Sequence, residues 1–395
     1  MTIDDRFWTE LRDWRRDFHA HPEFGFEEHR TSRLVAERLR AFGLDEVVEG
    51  VGGTGVVATL RRGKGNRSIA LRADMDALRI AEQGELGHRS RNPGLMHACG
   101  HDGHTTMLLG AARILAAEGG FDGTVRFVFQ PAEEWGKGAL AMLADGLLKR
   151  FPFETIYGLH NMPGLAVGAL RARGGAVMSA EDNFEIVLNG VGGHASRPDA
   201  GREVMVAACS LVLGLQTVVS RRMTPDVTAV VSVTELLTDG TRNVLPGTAR
   251  ILGDARSFDP EVSQAIEAEL RRIAMGTAAG YGIDCEITYT REFVPTINDA
   301  DAAAVALRAA RATPGIGSVV ETFAPNTGSE DFARFLLHVP GCFAFIGNGE
   351  ASAPLHNPQY DFNDQALPVG TRFFVQLVRD HLSPYPAPLP ELRDD

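Results

Sequence analysis

Thr124-Val-Arg-Phe-Val-Phe-Gln130-Pro-Ala-Glu133-Glu134 is a run of β-branched and aromatic residues, stopped by Pro131 and followed at once by two carboxylates. Such a run reads as a buried strand, and a proline at its end closes the hydrogen-bonding ladder. The arrangement recurs along the chain. Ser68–Ala73 precedes Asp74 and Asp76, Thr155–His160 ends on an imidazole, and Gly341–Gly347 leads into the loop bearing His356. Helical patterns at Thr105–Ala117 and Ala139–Leu148 lie between these strands, so the segment predicts an α/β sheet with crossover helices. In open α/β sheets, ligands sit in the crevice beyond the carboxyl ends of the strands. Four separate strand ends therefore bring carboxylates or imidazoles to one edge.

Outward from that core, apolar positions between Asp5 and Phe42 recur at helical spacing, with Pro22 dividing two helices around a His-Pro-Glu turn. Near Ser179 the texture changes. Asn183–Asn189 alternates, and a long apolar helix is expected from Glu203 to Ser220. A strand pair follows at Val227–Leu236 and Thr248–Arg256, then a helix Pro260–Met275 and a strand Asp284–Thr290. This β-α-β-β-α-β order predicts a ferredoxin-like α+β layer. The expected organisation is a first domain of sheet flanked by helices, formed by 1–180 and 294–395, with a second domain inserted at 181–293. At 395 residues the chain exceeds the size at which a single core usually stops growing. The first texture returns after the insertion, with a helix from Asp299 to Arg311 and a last helix from Gln365 to His381, and the Pro-rich tail after Ser383 is low in complexity.

Composition narrows the function. A net charge of −12 with no dense basic run argues against a nucleic-acid surface, leaving a small-molecule partner. The four cysteines are far apart, which suggests reduced thiols and neither a disulfide framework nor a ribbon-type zinc site. The N-terminal residues lack a basic segment followed by an apolar core, and no stretch approaches a membrane span, so a cytoplasmic protein without membrane contact is expected.

The run Met96-His-Ala-Cys99-Gly-His101-Asp-Gly-His104, read as a loop immediately before a helix, adds sulfur and imidazole to the carboxylate edge. A mixture of thiolate, imidazole and carboxylate suits zinc or another late first-row divalent ion and argues against magnesium. Singly, each residue has an ordinary explanation: Cys99 as a small buried hydrophobe, His160 as a core histidine, Glu133 and Glu134 as solvated charge. Their joint placement at one edge is what points to a metal. Past Pro131 the chain can turn so that one of the two adjacent carboxylates binds metal while its neighbour acts as general base and then acid.

Six motifs stand in order: the Met96–His104 run, Gln130-Pro-Ala-Glu-Glu134, Gly158-Leu-His160-Asn161, Gly192-Gly-His194-Ala195, Gly328-Ser-Glu-Asp-Phe332 and Leu355-His356-Asn-Pro358. With His19-Ala-His-Pro-Glu23 and Arg72-Ala-Asp-Met-Asp-Ala-Leu78, they cover almost the whole chain. This pattern resembles the metallopeptidase-related amidohydrolase family of hippurate hydrolase, bacterial aminoacylases and indole-acetyl-amino-acid hydrolases. The resemblance implies a zinc aminopeptidase-like catalytic domain, a mixed sheet flanked by helices over 1–180 and 294–395, with 181–293 as its lid domain, and two divalent ions, whether zinc, manganese, nickel or cobalt. It implies Cys99, His101, Glu134, His160 and His356 as metal ligands, Glu133 as general base and Asp76 as a carboxylate orienting the centre. By the same resemblance His194 would stabilise the oxyanion, in some relatives across a dimer, and Asn243 and Arg256 would hold the substrate carboxylate or backbone. An N-acyl amino acid substrate and a homodimer, or dimer-based oligomer, through the lid are implied too. His97, Asp102 and His104 are left outside the ligand set. The sequence departs from the pattern at Trp135, where glycine is usual, at Asp199 for a histidine, and at Arg202-Glu203 for Asp-Pro.

Three other readings compete: a dipeptidase or carboxypeptidase with the same centre, a non-catalytic metal-dependent binding protein on the same fold, and an enzyme using Cys99 as nucleophile. Glu133 separates the binding protein, which needs no base. A nucleophile would not require Glu134, His160 and His356 at neighbouring strand ends.

Overall fold

The computed structural model describes residues 3–383; Met1, Thr2 and the Pro-rich tail lie outside them. The described residues divide into two compact units, one made of 3–175, 297–324 and 331–383 and the other of 176–296 and 325–330.

The first unit is built on an eight-stranded mixed sheet. Its centre is parallel: Gly123–Gln130 pairs with Ser68–Asp74, that strand with Thr155–Pro163, and that in turn with Gly341–Gly349. These strands are buried on both faces, in keeping with their continuous apolar sequences. Because all four run the same way, their carboxyl ends share one edge. An antiparallel hairpin, Glu46–Val51 with Gly55–Arg62, extends the sheet beyond Gly123–Gln130. Helix His101–Glu118 is buried over most of its length, and the apolar faces of Asp5–Ala20, Ala300–Ala312 and Ala366–His381 join the same core.

The helix expected from Thr105 begins four residues earlier, at His101. Gly100, at φ +92, turns the chain directly into the first helical turn, so His101 and His104 stand on a helix and not in a loop.

The second unit is a four-stranded antiparallel sheet ordered Ala229–Thr238, Thr248–Ser257, Ala180–Asn189, Asp284–Phe293. With its helices it follows the β-α-β-β-α-β order in a ferredoxin-like arrangement. Phe184, Ile186 and Leu188 alternate onto the buried face, where they meet Leu211, Ile266 and Leu270 of the helices. The single helix expected over Glu203–Ser220 is two, Met205–Leu215 and Thr217–Arg222. Side chains compete for the backbone at the break: Thr217 Oγ1 donates to the Gly214 carbonyl and Gln216 Nε2 to that of Val212.

Candidate metal centre

Cys99 and His101 flank Gly100, and the geometry there tolerates no side chain. A Cβ on Gly100 would stand 2.1 Å from Asn161 Oδ1 and 2.6 Å from the Tyr360 hydroxyl. The close approach sets the helix N-terminus, and with it His101, against the end of the strand Thr155–Pro163. Asp76 then orients the ring: His101 Nδ1 donates to the Asp76 carbonyl at 2.9 Å and lies 3.2 Å from its Oδ1. With Nδ1 so engaged, Nε2 is the nitrogen turned toward the other donors, a buried atom with no hydrogen-bond partner among the described residues.

The other donors are fixed in the same manner. His160 Nδ1 donates to the Asn161 carbonyl at 2.7 Å, which turns Nε2 toward Cys99 Sγ, 3.4 Å away. His356 is tied through its backbone N–H to the Ala98 carbonyl at 2.8 Å and adopts φ +62, with Nε2 3.4 Å from Glu134 Oε2. Glu134 is held at its own amide by Asp76 Oδ2 at 3.1 Å, while its buried Oε1 makes no hydrogen bond among the described residues and lies 3.9 Å from His101 Nε2.

Of the five trios of ligand atoms within 4.8 Å of one another among the described residues, two share Cys99: Cys99, His101 and His160, and Cys99, Glu134 and His356; Glu133 joins His101 and Glu134 in a third. Glu133, nearly buried, stands beside His101 with Oε2 3.9 Å from Nε2.

The electrostatics call for a cation. Burial, followed by Glu134, Glu133 and Asp74, pushes the Cys99 thiol far above its ordinary range. A thiolate there needs compensating positive charge. Burial, then the neighbouring His104, drives His160 well below its usual value and keeps it a neutral ligand. Burial opposes charge on His101, yet Asp74 and Asp76 outweigh it and push the pKa up to about 10. His101 Nε2 and Glu134 Oε1, buried 3.9 Å apart and without hydrogen bonds among the described residues, together with a thiol among carboxylates and a neutral His160 imidazole, are a donor set that fits divalent metal.

Around the donors lies a frame that the sequence motifs only partly disclosed. Buried Arg72 donates to Asp74 and to Gln130; Asp74 Oδ1 accepts from His104 Nδ1 at 2.6 Å; His104 Nε2 accepts from the Asn161 amide at 3.0 Å. Both His104 nitrogens are thereby engaged, although His104 also lies close enough to Asp74 and His101 to form a possible ligand trio with them. Asn161 Nδ2 in turn donates to Tyr360 at 2.6 Å. Asn161 and Tyr360 carried no role in the sequence reading; the one available signal was Gly100, small where two chemical residues flank it. The His19 motif serves a similar end. His19 Nδ1 donates to Asp102 Oδ2 at 2.9 Å, and Arg15, fully buried, pairs with Asp102, Asp361 and Asp364. Trp135, 45% exposed, meets Phe24 in a T-shaped contact at 4.8 Å between centroids, its one aromatic neighbour among the described residues.

His194, Asn243 and Arg256 lie in the second unit. His194 is exposed on a two-residue strand paired with Val244, and the adjacent Ala195 amide donates to the Asn243 carbonyl at 3.0 Å, so these two candidates are neighbours. His194 Nδ1 accepts from the Ser196 amide at 3.1 Å, which puts the ring proton on Nε2. Arg256 is paired with Glu181 at 2.9 Å and Asp254 at 2.8 Å, and it donates to Ser329.

Sulfur, imidazole and carboxylate donors, largely buried except for the exposed His356, at the carboxyl edge of a parallel core define the class: a metal-dependent α/β hydrolase with a second, ferredoxin-like unit. Residues 70–380 match the model of peptidase family M20/M25/M40, and the chain belongs to that family. It is 37% identical over 376 residues to the N-acetylcysteine deacetylase of Bacillus subtilis, covering 95% of this chain and 97% of the relative. It is likewise 37% identical to the hippurate hydrolase of Campylobacter jejuni, covering 94% and 97%. The crystal structure of the Bacillus subtilis YXEP protein, described as a dinuclear metal binding peptidase of the M20 family, superposes with a TM-score of 0.85 at 34% identity, over 96% of this chain and 99% of that one.

Proposed function

We propose that the protein hydrolyses the amide bond of an N-acyl amino acid, acetyl, benzoyl or similar, to a carboxylate and a free amino acid. The observation that carries this reading is the pair of ligand trios sharing Cys99, with a further carboxylate, Glu133, beside them. Cys99, His101 and His160 would hold one divalent ion and Cys99, Glu134 and His356 a second, the identity lying among zinc, manganese, nickel and cobalt. Bound there, the ions supply Lewis-acid chemistry, acidifying water and polarising the amide carbonyl. Glu133 takes the proton of the attacking water on its carboxylate and returns it to the leaving amine nitrogen. Asp76 keeps His101 and Glu134 in register. From the second unit, His194 donates through Nε2–H to the developing oxyanion, a role its fixed tautomer supports. Asn243 and Arg256 would hold the substrate carboxylate or a backbone polar group; Arg256 would share its guanidinium with Glu181 and Asp254.

The names of the full-length relatives support acyl amino acids over dipeptides as substrates. Four free thiols fit a reducing compartment, the cytoplasm, and no helix among the described residues is long and apolar enough to cross a membrane. Exposed Val206 and Leu213 on a helix, with Leu236 and Leu237 on an edge strand, support self-association through the second unit.

A release assay across N-acetyl, N-benzoyl and N-aryl-acetyl amino acids and dipeptides tests the reading. Turnover of acyl amino acids, abolished by Glu133→Gln with metal content intact, is the expected result. Turnover of dipeptides alone, or a fully active Glu133→Gln enzyme, would overturn it.

A further inference from the structure

Glu28 stands at the N-cap of helix His29–Ala41, where an acidic side chain ordinarily accepts from the first free amides, yet its side chain makes no capping bond. Glu23 performs that task instead, its two oxygens accepting from Arg30 N at 2.8 Å and Thr31 N at 2.7 Å. The Glu28 carboxylate is completely buried, and a buried carboxylate is costly unless its oxygens are used. Its Oε1 accepts from the Ala132 amide at 2.8 Å and its Oε2 from the Thr54 hydroxyl at 2.5 Å.

Ala132 is no ordinary partner. It immediately precedes Glu133 and holds φ +46, a left-handed conformation that a residue with a Cβ rarely adopts without being held. Gly25 packs under it so closely that a Cβ there would lie 3.0 Å from the Ala132 Cβ. Two residues on, the Glu134 amide is held by Asp76 Oδ2. The bend that separates Glu133 from Glu134 is thus gripped on either side by a buried carboxylate, Glu28 before it and Asp76 after it.

We propose that Glu28 is a positioning residue for the reaction: by accepting from Ala132 N it fixes the strained bend that aims Glu133, while Thr54 fixes Glu28. This inference rests on Glu133 being the base. Glu28 touches no substrate. Its effect falls on kcat, because an ill-aimed base slows proton transfer without removing substrate contacts. Gln at this position retains an oxygen for Ala132 N and an amide that the Thr54 hydroxyl can accept. Asp, one methylene shorter, cannot span both partners.

The test measures kcat, KM, bound metal and circular dichroism for Glu28→Gln, Glu28→Asp and Glu28→Ala, with Glu133→Gln alongside, at saturating divalent metal. The expected result is kcat within about threefold of wild type for Glu28→Gln and a loss of about tenfold or more for Glu28→Asp and Glu28→Ala, with KM within about threefold. Wild-type kcat in folded Glu28→Asp or Glu28→Ala overturns the proposal, as does a Gln variant as slow as Ala. If Glu28→Ala fails to fold, Glu28→Asp decides. An active Glu133→Gln would instead refute the assignment of the base, and the two failures are told apart in one experiment.

Discussion

Replacing Gly100 with alanine puts a methyl group where Asn161 Oδ1 would be 2.1 Å and the Tyr360 hydroxyl 2.6 Å away. The backbone cost of an L-residue at φ +92 is about 1–2 kcal/mol. Relieving the contact displaces Asn161 and breaks its bond to Tyr360, a further ~1 kcal/mol. The metal-free protein should therefore lose about 2–3 kcal/mol of stability in urea denaturation. The damage extends to the site, because the carbonyl of Asn161 sets the His160 ring and its amide holds His104. Disturbing such supports typically lowers metal affinity about 10–100-fold. Competition titration of the variant with a chromophoric chelator reads that loss directly. A Gly100→Ala protein within about 0.5 kcal/mol of wild type, binding metal equally tightly, would show that the close approach at Gly100 does not organise the centre.

Three further outcomes are expected. Asp76→Ala leaves the Glu134 amide without its acceptor and one support fewer on His101, and should weaken metal binding by about 1–3 kcal/mol by the same titration; unchanged affinity would contradict its orienting role. Burial, helped by Arg67, lowers the His381 pKa from its ordinary 6.5 to about 4, and Tyr157 contacts the ring at 3.0 Å. Because the unfolded chain takes up this proton first, the stabilisation is full above pH 6.5 and is lost as the pH falls toward 4. The amount is about 2–3 kcal/mol after allowing for partial exposure, and it should be missing from the pH profile of His381→Phe; an identical profile would refute the assignment. Trp135→Gly should alter the ratio of kcat/KM for benzoyl against acetyl substrates by at least about threefold if the exposed indole lines the acyl pocket, and an unchanged ratio would assign Trp135 to packing against Phe24 alone.

The parallel core could be read from the sequence because its four strands are continuous apolar runs closed by turn residues, and the second unit because Phe184, Ile186 and Leu188 alternate in register. Less was legible where local signals are weak or contacts are remote. The hairpin Glu46–Val51 with Gly55–Arg62 was missed, since its outer strand is only partly buried and its short apolar stretch, Val47-Val48, is flanked by glutamates. The helix start at His101 was placed four residues late because the first turn carries polar residues that are buried only through tertiary contacts. At the centre, the candidate donors announced themselves by residue type. The frame that aims them did not, since Asn161, Tyr360, Arg72 and Glu28 act through partners distant in sequence, and nothing in one chain's sequence pairs Glu28 with Ala132 across 104 positions.

Cys99 belongs to both ligand trios and would therefore be needed by both ions. Equilibrium metal titration of the wild type and of Cys99→Ala, with counting by elemental analysis, tests that claim. It predicts two divalent ions per chain for the wild type and collapse of both sites in the variant, since each trio loses its sulfur. A wild-type chain that binds no divalent ion, or a Cys99→Ala chain that still binds two with undiminished affinity, would contradict it.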